Sequence, residues 1–151
     1  MVRLLRGVLF GFILSGLTAP TALAQNTLSA TDVASFITQF QKAFQTCDVP
    51  FMRGLMGDQI TAMGIRGGLA KGPDVDDFQR QCAQGVKFAL NFERLHDEAL
   101  GPVHHLIVGK ATGTMTGPNG KTIPTSIKFT WVLTRQGERV VMQHSHLSAL
   151  M

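Results

Sequence analysis

The chain contains no tyrosine and only one tryptophan, Trp131. A site built from these residues has no phenol that could donate a proton or a hydrogen bond, which excludes reactions that depend on one. Charged residues are also scarce, at 16% of the chain. The sequence shows no basic run and no stripe of alternating basic and aromatic residues, so we expect no nucleic-acid partner.

Long apolar runs are missing except near the N-terminus. There, Arg3 and Arg6 precede an apolar stretch at residues 7–17, and Ala22 and Ala24 provide small side chains two residues apart. This order of features is typical of a secretory signal peptide that is cleaved after Ala24. The apolar stretch is shorter than the ~20 residues that a membrane-spanning helix needs.

We therefore interpret residues 1–24 as a signal peptide and residues 25–151 as a single domain. A retained N-terminal anchor is the alternative. Cleavage predicts a secreted or periplasmic protein with no stable membrane insertion afterwards.

Only two cysteines are present, Cys47 and Cys82. Each continues an apolar stripe at helical spacing, so both thiols are expected to face the core where two helices meet. Export makes a disulfide between them chemically possible. Two buried free thiols that pack as small apolar side chains are the alternative, and neither cysteine has the basic neighbours of a reactive thiol.

The remaining patterns predict helices first and strands later. Ser29 and Asp32 form a capping box before an amphipathic helix at 30–45, and Asp48 and Pro50 suit the start of a short helix. The predicted helices are 30–45, 51–56 and 72–85, and the predicted strands are 59–66, 69–71, 86–100, 103–117, 121–135 and 138–147.

Short links containing glycine or proline join the last four predicted strands into an antiparallel meander. The fold class is therefore α+β: three N-terminal helices packed on a strongly bent antiparallel sheet of about five to six strands. Gly109, Gly113 and Gly117 are expected at bends or bulges. A bent sheet covered by helices leaves a cone-shaped pocket.

The candidate chemistry lies in two places. His144 and His146 project from one face of the last strand, because side chains alternate along a strand, and could supply a general base and a binding donor. The alternative is that His144 and His146 are a structural pair, hydrogen-bonded at a rim or in a sheet face of a dimer. Arg66 follows an apolar strand and could bind a substrate carboxylate, or be a solvated arginine at the strand end.

An apolar wall is predicted beside these groups. Phe36, Phe40, Met63 and Trp131 are its candidate ligand-binding residues, although such stripes also occur as plain core. We expect a small apolar molecule as the ligand, with no metal and no cofactor. A zinc site on His144 and His146 would need a third ligand; His104 and His105 lie two strands away, and only one of them is expected on the same face.

The chain resembles the nuclear transport factor 2-like superfamily over nearly all of residues 25–151. Three motifs carry the resemblance: CDVP at 47–50, IRGGLAKGP at 65–73 and HSHLS at 144–148. The last is similar to the SnoaL-like and SgcJ/EcaC-type branch and to the association domain of calcium/calmodulin-dependent kinase II. The superfamily contains enzymes, ligand carriers and dimerisation modules, so the resemblance does not choose a function.

Ketosteroid isomerase chemistry needs a carboxylate on the first strand and a phenol, and residues 60–65 contain no acid. Our favoured interpretation is an exported, non-catalytic domain that binds a small apolar or amphipathic ligand and forms a homodimer through its sheet. The alternative is a SnoaL-like enzyme of the cyclase, isomerase or dehydratase type that uses His144 or His146 as general base. An oligomerisation module is a further alternative.

Overall fold

The structure, a computed structural model, describes residues 27–64, 68–72 and 75–149. The predicted signal peptide lies outside these residues. The helices are α1 (Ala30–Thr46), α2 (Val49–Gly54) and α3 (Asp76–Ala83). The strands are β1 (Met56–Met63), β2 (Leu69–Lys71), β3 (Lys87–Ala99), β4 (His104–Thr116), β5 (Thr122–Gln136) and β6 (Arg139–Ala149).

The first helix begins at the predicted capping box. The backbone N–H of Asp32 donates to the Ser29 hydroxyl, and the Asp32 carboxylate accepts from the backbone N–H of Ser29. These reciprocal bonds satisfy two donors that a helix N-terminus leaves unpaired. The buried residues Val33, Phe36 and Phe40 recur at helical spacing, so one apolar side of α1 packs against the sheet.

The second helix was predicted too late in the chain. It begins at Val49, because the Asp48 side chain accepts from the N–H of Phe51 and Pro50 occupies the first turn. After Leu55 the chain enters the sheet, where the Leu55 carbonyl accepts from the N–H of Met142 at 2.8 Å. The first strand therefore starts at Met56, three residues before its predicted start.

The six strands form one curled, unclosed sheet in the order β2-β1-β6-β5-β4-β3. The four long strands agree with the predicted meander to within two residues. The prediction of a wholly antiparallel sheet was wrong at one pairing, because β1 runs parallel to β6. Three helices are present in the order of the predicted ranges, but they are not all N-terminal to the sheet: α1 and α2 precede β1, whereas α3 follows β2.

Aromatic side chains fill the layer between α1 and the sheet. Phe40 lies at the centre, with its ring 4.6 Å from Trp131 and 5.3 Å from Phe92, measured between centroids. Trp131 stacks in turn on Phe129 at 4.1 Å. Such pairs stabilise by about 0.5–1.5 kcal/mol beyond their area burial. This ring cluster fixes α1 on one face of the sheet, which we call the helix face; the other is the open face.

A bend forms where β3 and β4 meet Phe129. The register shifts between Arg94 and His96, opposite Gly109. A Cβ on Gly109 would lie 2.2 Å from the Phe129 ring and 2.5 Å from the Glu93 carbonyl oxygen, so only glycine fits. Gly113 has a φ of +148° and an equally close carbonyl neighbour. Bends at Gly109 and Gly113 were expected, and Gly117 lies in the β4–β5 turn instead.

A disulfide between Cys47 and Cys82 joins the end of α1 to α3. The Cα atoms are 5.8 Å apart, within the normal range for a bridge. The third helix has no buried residue and no side-chain cap. Its contacts with the rest of the domain include this bond and the ring of Phe78, which stacks on Phe44 at 5.0 Å.

We expect loss of the disulfide to lower the free energy of unfolding by about 2–4 kcal/mol, because the unfolded chain gains conformational freedom. Urea unfolding with and without dithiothreitol measures this difference. The Cys82→Ser variant is the control, since dithiothreitol should not change its midpoint further. An unchanged midpoint for the reduced wild-type protein would contradict a stabilising bond.

Candidate functional site

The two candidate histidines lie on the open face, away from the helices. Ser145, between them, is buried and pairs with Trp131 on the helix face. Because side chains alternate along a strand, His144 and His146 point the other way, opposite Val132 and Thr130. They do not face the aromatic layer beneath α1.

The surroundings of these histidines differ. His144 is half-buried, and its Nδ1 lies 2.8 Å from the Thr61 hydroxyl on β1. His146 is exposed and pairs with Met63, whose side chain is 39% exposed. Among the described residues, no group of three or more histidine, cysteine or acidic side chains is arranged to hold a metal.

The candidate ligand-binding residues are divided between the two faces. Phe40 and Trp131 are buried in the ring cluster on the helix face, and Phe36 extends from it into a surface groove. Met63 lies on the open face beside His146. Arg66 lies outside the described residues. A role for any of them in ligand binding stays a prediction.

Two grooves mark the described surface. The first, the helix groove, has a volume of about 470 Å³ and lies between α1, α2 and the β5–β6 hairpin. The second, the sheet groove, has a volume of about 430 Å³ and lies on the open face. Lining residues of the helix groove include Asp32, Phe36, Phe51, Leu55, Arg139 and Val140. Those of the sheet groove include Leu95, Val108, Lys110, Lys128, Thr130 and His146.

The helix groove combines apolar lining residues with polar ones, which include Ser35, Gln39 and Glu138, and it has a polar end at Asp32. Phe36, Phe51 and Val140 line its walls. At the polar end, the Asp32 carboxylate accepts from Nη2 of Arg135 at 2.7 Å. Arg135 pairs with Val140 across the β5–β6 ladder, which places the ion pair next to the apolar wall.

A second polar pair lies on the helix face and was missed by the sequence analysis. Nε2 of the buried His105 lies 2.8 Å from Oδ2 of Asp97. The sequence pattern that could have revealed it is the spacing of β4: His105 precedes the buried Ile107 by two residues, so both side chains lie on the core side of the strand. His104, the preceding residue, points to the open face, because neighbouring side chains on a strand alternate between faces.

Three buried nitrogen atoms have no hydrogen-bond partner within the described part of the chain. They are Nδ1 of His105, Nε1 of Trp131 and Nε of Arg135. All three side chains come from β4 and β5 and share the helix face. Because unpaired buried polar groups are costly, these atoms are places where water or a polar ligand atom would gain a hydrogen bond.

Hydrogen bonds lower the pKa values of two carboxyl groups, those of Asp32 and Asp97. The backbone and hydroxyl of Ser29 hold the pKa of Asp32 below its ordinary value, and the Arg135 guanidinium adds to this effect. The hydrogen bond from His105 lowers the pKa of Asp97, with a smaller contribution from Arg94. Both groups are therefore acceptors at neutral pH, and neither is poised to donate a proton as a general acid.

A family model described as a SnoaL-like domain matches residues 33–151. The chain belongs to this SnoaL-like family. No curated protein matches the chain at a significant level. The family assignment confirms the superfamily that the three motifs indicated, and it accounts for the order of helices and strands.

Solved structures share the SnoaL-like fold at low sequence identity. A ketosteroid isomerase-like protein from Erwinia carotovora atroseptica has a TM-score of 0.71 and 16% identity, covering 80% of this chain and 95% of its own. A nuclear transport factor 2-like protein of unknown function in nutrient uptake from Rhodospirillum rubrum has a TM-score of 0.68 and 20% identity, covering 80% and 99%. The CaMKII association domain of C. elegans has a TM-score of 0.64 and 15% identity, covering 79% and 94%.

These similarities establish the fold of the SnoaL-like domain. They do not determine its activity, which has to be inferred from the residues of the candidate site. The described helices include none that is long and apolar enough to cross a membrane.

The lowered pKa values of Asp32 and Asp97 predict acid sensitivity. Both carboxyls have an ordinary value of 3.8, and their folded values lie below it. Their contribution to stability is therefore complete above about pH 4 and is lost as the pH falls through the folded values. We expect Asp97→Asn to flatten the fall in melting temperature between about pH 4 and pH 2.

Asp58→Asn, at an exposed position on β1, is the matched control and should leave that fall unchanged. Scanning calorimetry across this pH range measures both variants. Equal slopes for wild type and Asp97→Asn would show that the His105 contact adds nothing to folding at neutral pH.

Proposed function

We propose that this SnoaL-like protein is an exported domain that binds a small amphipathic molecule in the helix groove and dimerises through the open face of its sheet. The observation that carries the ligand proposal is the partly apolar groove of about 470 Å³ whose lining includes Asp32, the ion-pair partner of Arg135. Its volume lies within the roughly 300–1,000 Å³ of small-molecule sites.

The lining of the helix groove favours a ligand with one apolar body and one polar end. Phe36, Phe51 and Val140 would contact the body. Side chains of Arg139 and Gln39 lie along the same groove and can donate hydrogen bonds to the polar end.

Dimerisation is proposed through an apolar patch on the open face, formed by Leu106, Val108 and Val132. The three side chains are adjacent, because Leu106 pairs directly with Val132 and Val108 follows Leu106 by two residues. All three remain partly exposed. A neighbour in fold is itself an association domain, which supports self-assembly of this family member.

Export is supported by the disulfide between Cys47 and Cys82. Such bonds persist in oxidising compartments such as the periplasm and the extracellular space. Residues 1–24 carry the charged, apolar and small-residue pattern of a signal peptide, so cleavage after Ala24 belongs to this proposal.

We expect Phe51→Ser to weaken binding of the neutral probe N-phenyl-1-naphthylamine roughly tenfold, because it removes about 1.4 kcal/mol of aromatic contact. Phe51 is 43% exposed, so the substitution should change folding stability little. Fluorescence titration of the purified mature protein measures the dissociation constant.

Ile123→Ser is the matched control for this experiment. Ile123 is 54% exposed and lies outside both grooves, so its loss removes a similar apolar surface without touching the proposed site. If Phe51→Ser and Ile123→Ser bind the probe as tightly as wild type, the helix groove is not the ligand site.

The second candidate function is catalysis at the open face with His144 or His146 as general base. The observation in its favour is the 2.8 Å contact between the Thr61 hydroxyl and Nδ1 of His144, which orients the ring. For an identified substrate, we expect His144→Ala together with His146→Ala to abolish turnover. Turnover that persists in this double variant, with His96→Ala as the control at an exposed histidine, would exclude His144 and His146 as the general base.

A further inference from the structure

The sheet groove contains two lysines that face each other directly. Lys110 on β4 and Lys128 on β5 are register partners, so their side chains emerge on the same face only about 5 Å apart at Cβ. Like charges at directly opposed positions of a sheet are destabilising. The placement of Lys128 opposite Lys110 is therefore not explained by the stability of the sheet.

Only one of the two lysines has its charge compensated. Nζ of Lys110 lies 3.0 Å from Oε2 of Glu93 on β3. Lys128 has no ion-pair or hydrogen-bond partner among residues 27–64, 68–72 and 75–149. No acidic residue lines the sheet groove, which leaves a net positive charge there.

We propose that the sheet groove is a second binding site, for a small molecule that carries one anionic head, such as a carboxylate, sulfate or phosphate, on an apolar body. The head lies between Lys110 and Lys128 and removes their mutual repulsion. This proposal is independent of the function proposed for the helix groove.

Hydrogen-bond donors surround the position of the anionic head. Ser148 pairs with Lys128 across the β5–β6 ladder, and His146 pairs with Thr130 one step further along the same face. The hydroxyls of Ser148 and Thr130 can donate to an anion, and both residues line the groove. Two ammonium groups and two hydroxyls match the several acceptor oxygens of such a head.

The bend in the sheet supplies the apolar part of this groove. The register shift between Arg94 and His96 places Leu95 at the groove with 57% of its surface exposed. Val108, on the neighbouring strand, provides a second apolar contact. The bend depends on Gly109, as shown above, so the local backbone geometry and the lysine pair together create the site.

The probe for this site is decanoate, a ten-carbon fatty acid anion with one carboxylate at the end of its alkyl chain. We expect saturable binding to the mature protein in isothermal titration calorimetry at low salt, weakened by added salt. Lys128→Ala should weaken binding roughly tenfold or more, because it removes one charge-assisted contact. Decanol, which lacks the charge, should bind more weakly and should not distinguish wild type from Lys128→Ala.

Two control variants localise the decanoate effect. Lys121→Ala removes an exposed lysine in the β4–β5 turn, outside the sheet groove, and should leave the affinity unchanged. Phe51→Ser alters the helix groove, so decanoate bound there would lose affinity in Phe51→Ser and keep it in Lys128→Ala. A loss of affinity in Lys128→Ala therefore reports on the sheet groove, whether or not the helix groove is a site.

Three outcomes would overturn the proposal. The first is wild-type decanoate affinity in the Lys128→Ala variant, and the second is no saturable binding to the wild-type protein. The third concerns the dimer, since the sheet groove shares Val108 with the apolar patch. If Lys128→Ala changes the dimer dissociation constant in analytical ultracentrifugation but not decanoate affinity, the lysines serve a second copy of this chain instead.

Discussion

The ring cluster between α1 and the sheet is the contact on which the other features of this domain depend. Phe40 contacts both Trp131 and Phe92, and Trp131 stacks on Phe129. The cluster fills the space beneath α1, so the helix groove lies beside that helix. It also makes the two faces of the sheet unequal, because only one of them is covered.

Constraints at the ends of the helices complete this arrangement. The Ser29–Asp32 capping box starts α1, and the same Asp32 carboxylate also binds Arg135 on β5. At the other end, Cys47 joins α1 to α3 through the disulfide. One helix is thus fixed at its start, its middle and its end, which holds one wall of the helix groove in place.

Because only one face of the sheet is covered, the polar side chains fall into two separate groups, one on the helix face and one on the open face. At the margins of an apolar layer, the helix face holds the ion pair of Asp32 with Arg135 and the hydrogen-bonded pair of Asp97 with His105. The open face holds His144, His146 and the opposed lysines. A small molecule with an apolar body could therefore meet different polar groups on the two faces, which is why the two grooves call for different probes.

The sequence by itself determined the local structure: the capping box at Ser29, the four long strands and the alternation that puts His144 and His146 on one face. These features depend on neighbouring residues and on a period of two or 3.6 residues. Only the tertiary structure decided which face those histidines occupy, that β1 runs parallel to β6, and that Asp97 meets His105. Such facts depend on strand order and register between distant segments, and a one-residue shift in register would reverse every side chain on a strand.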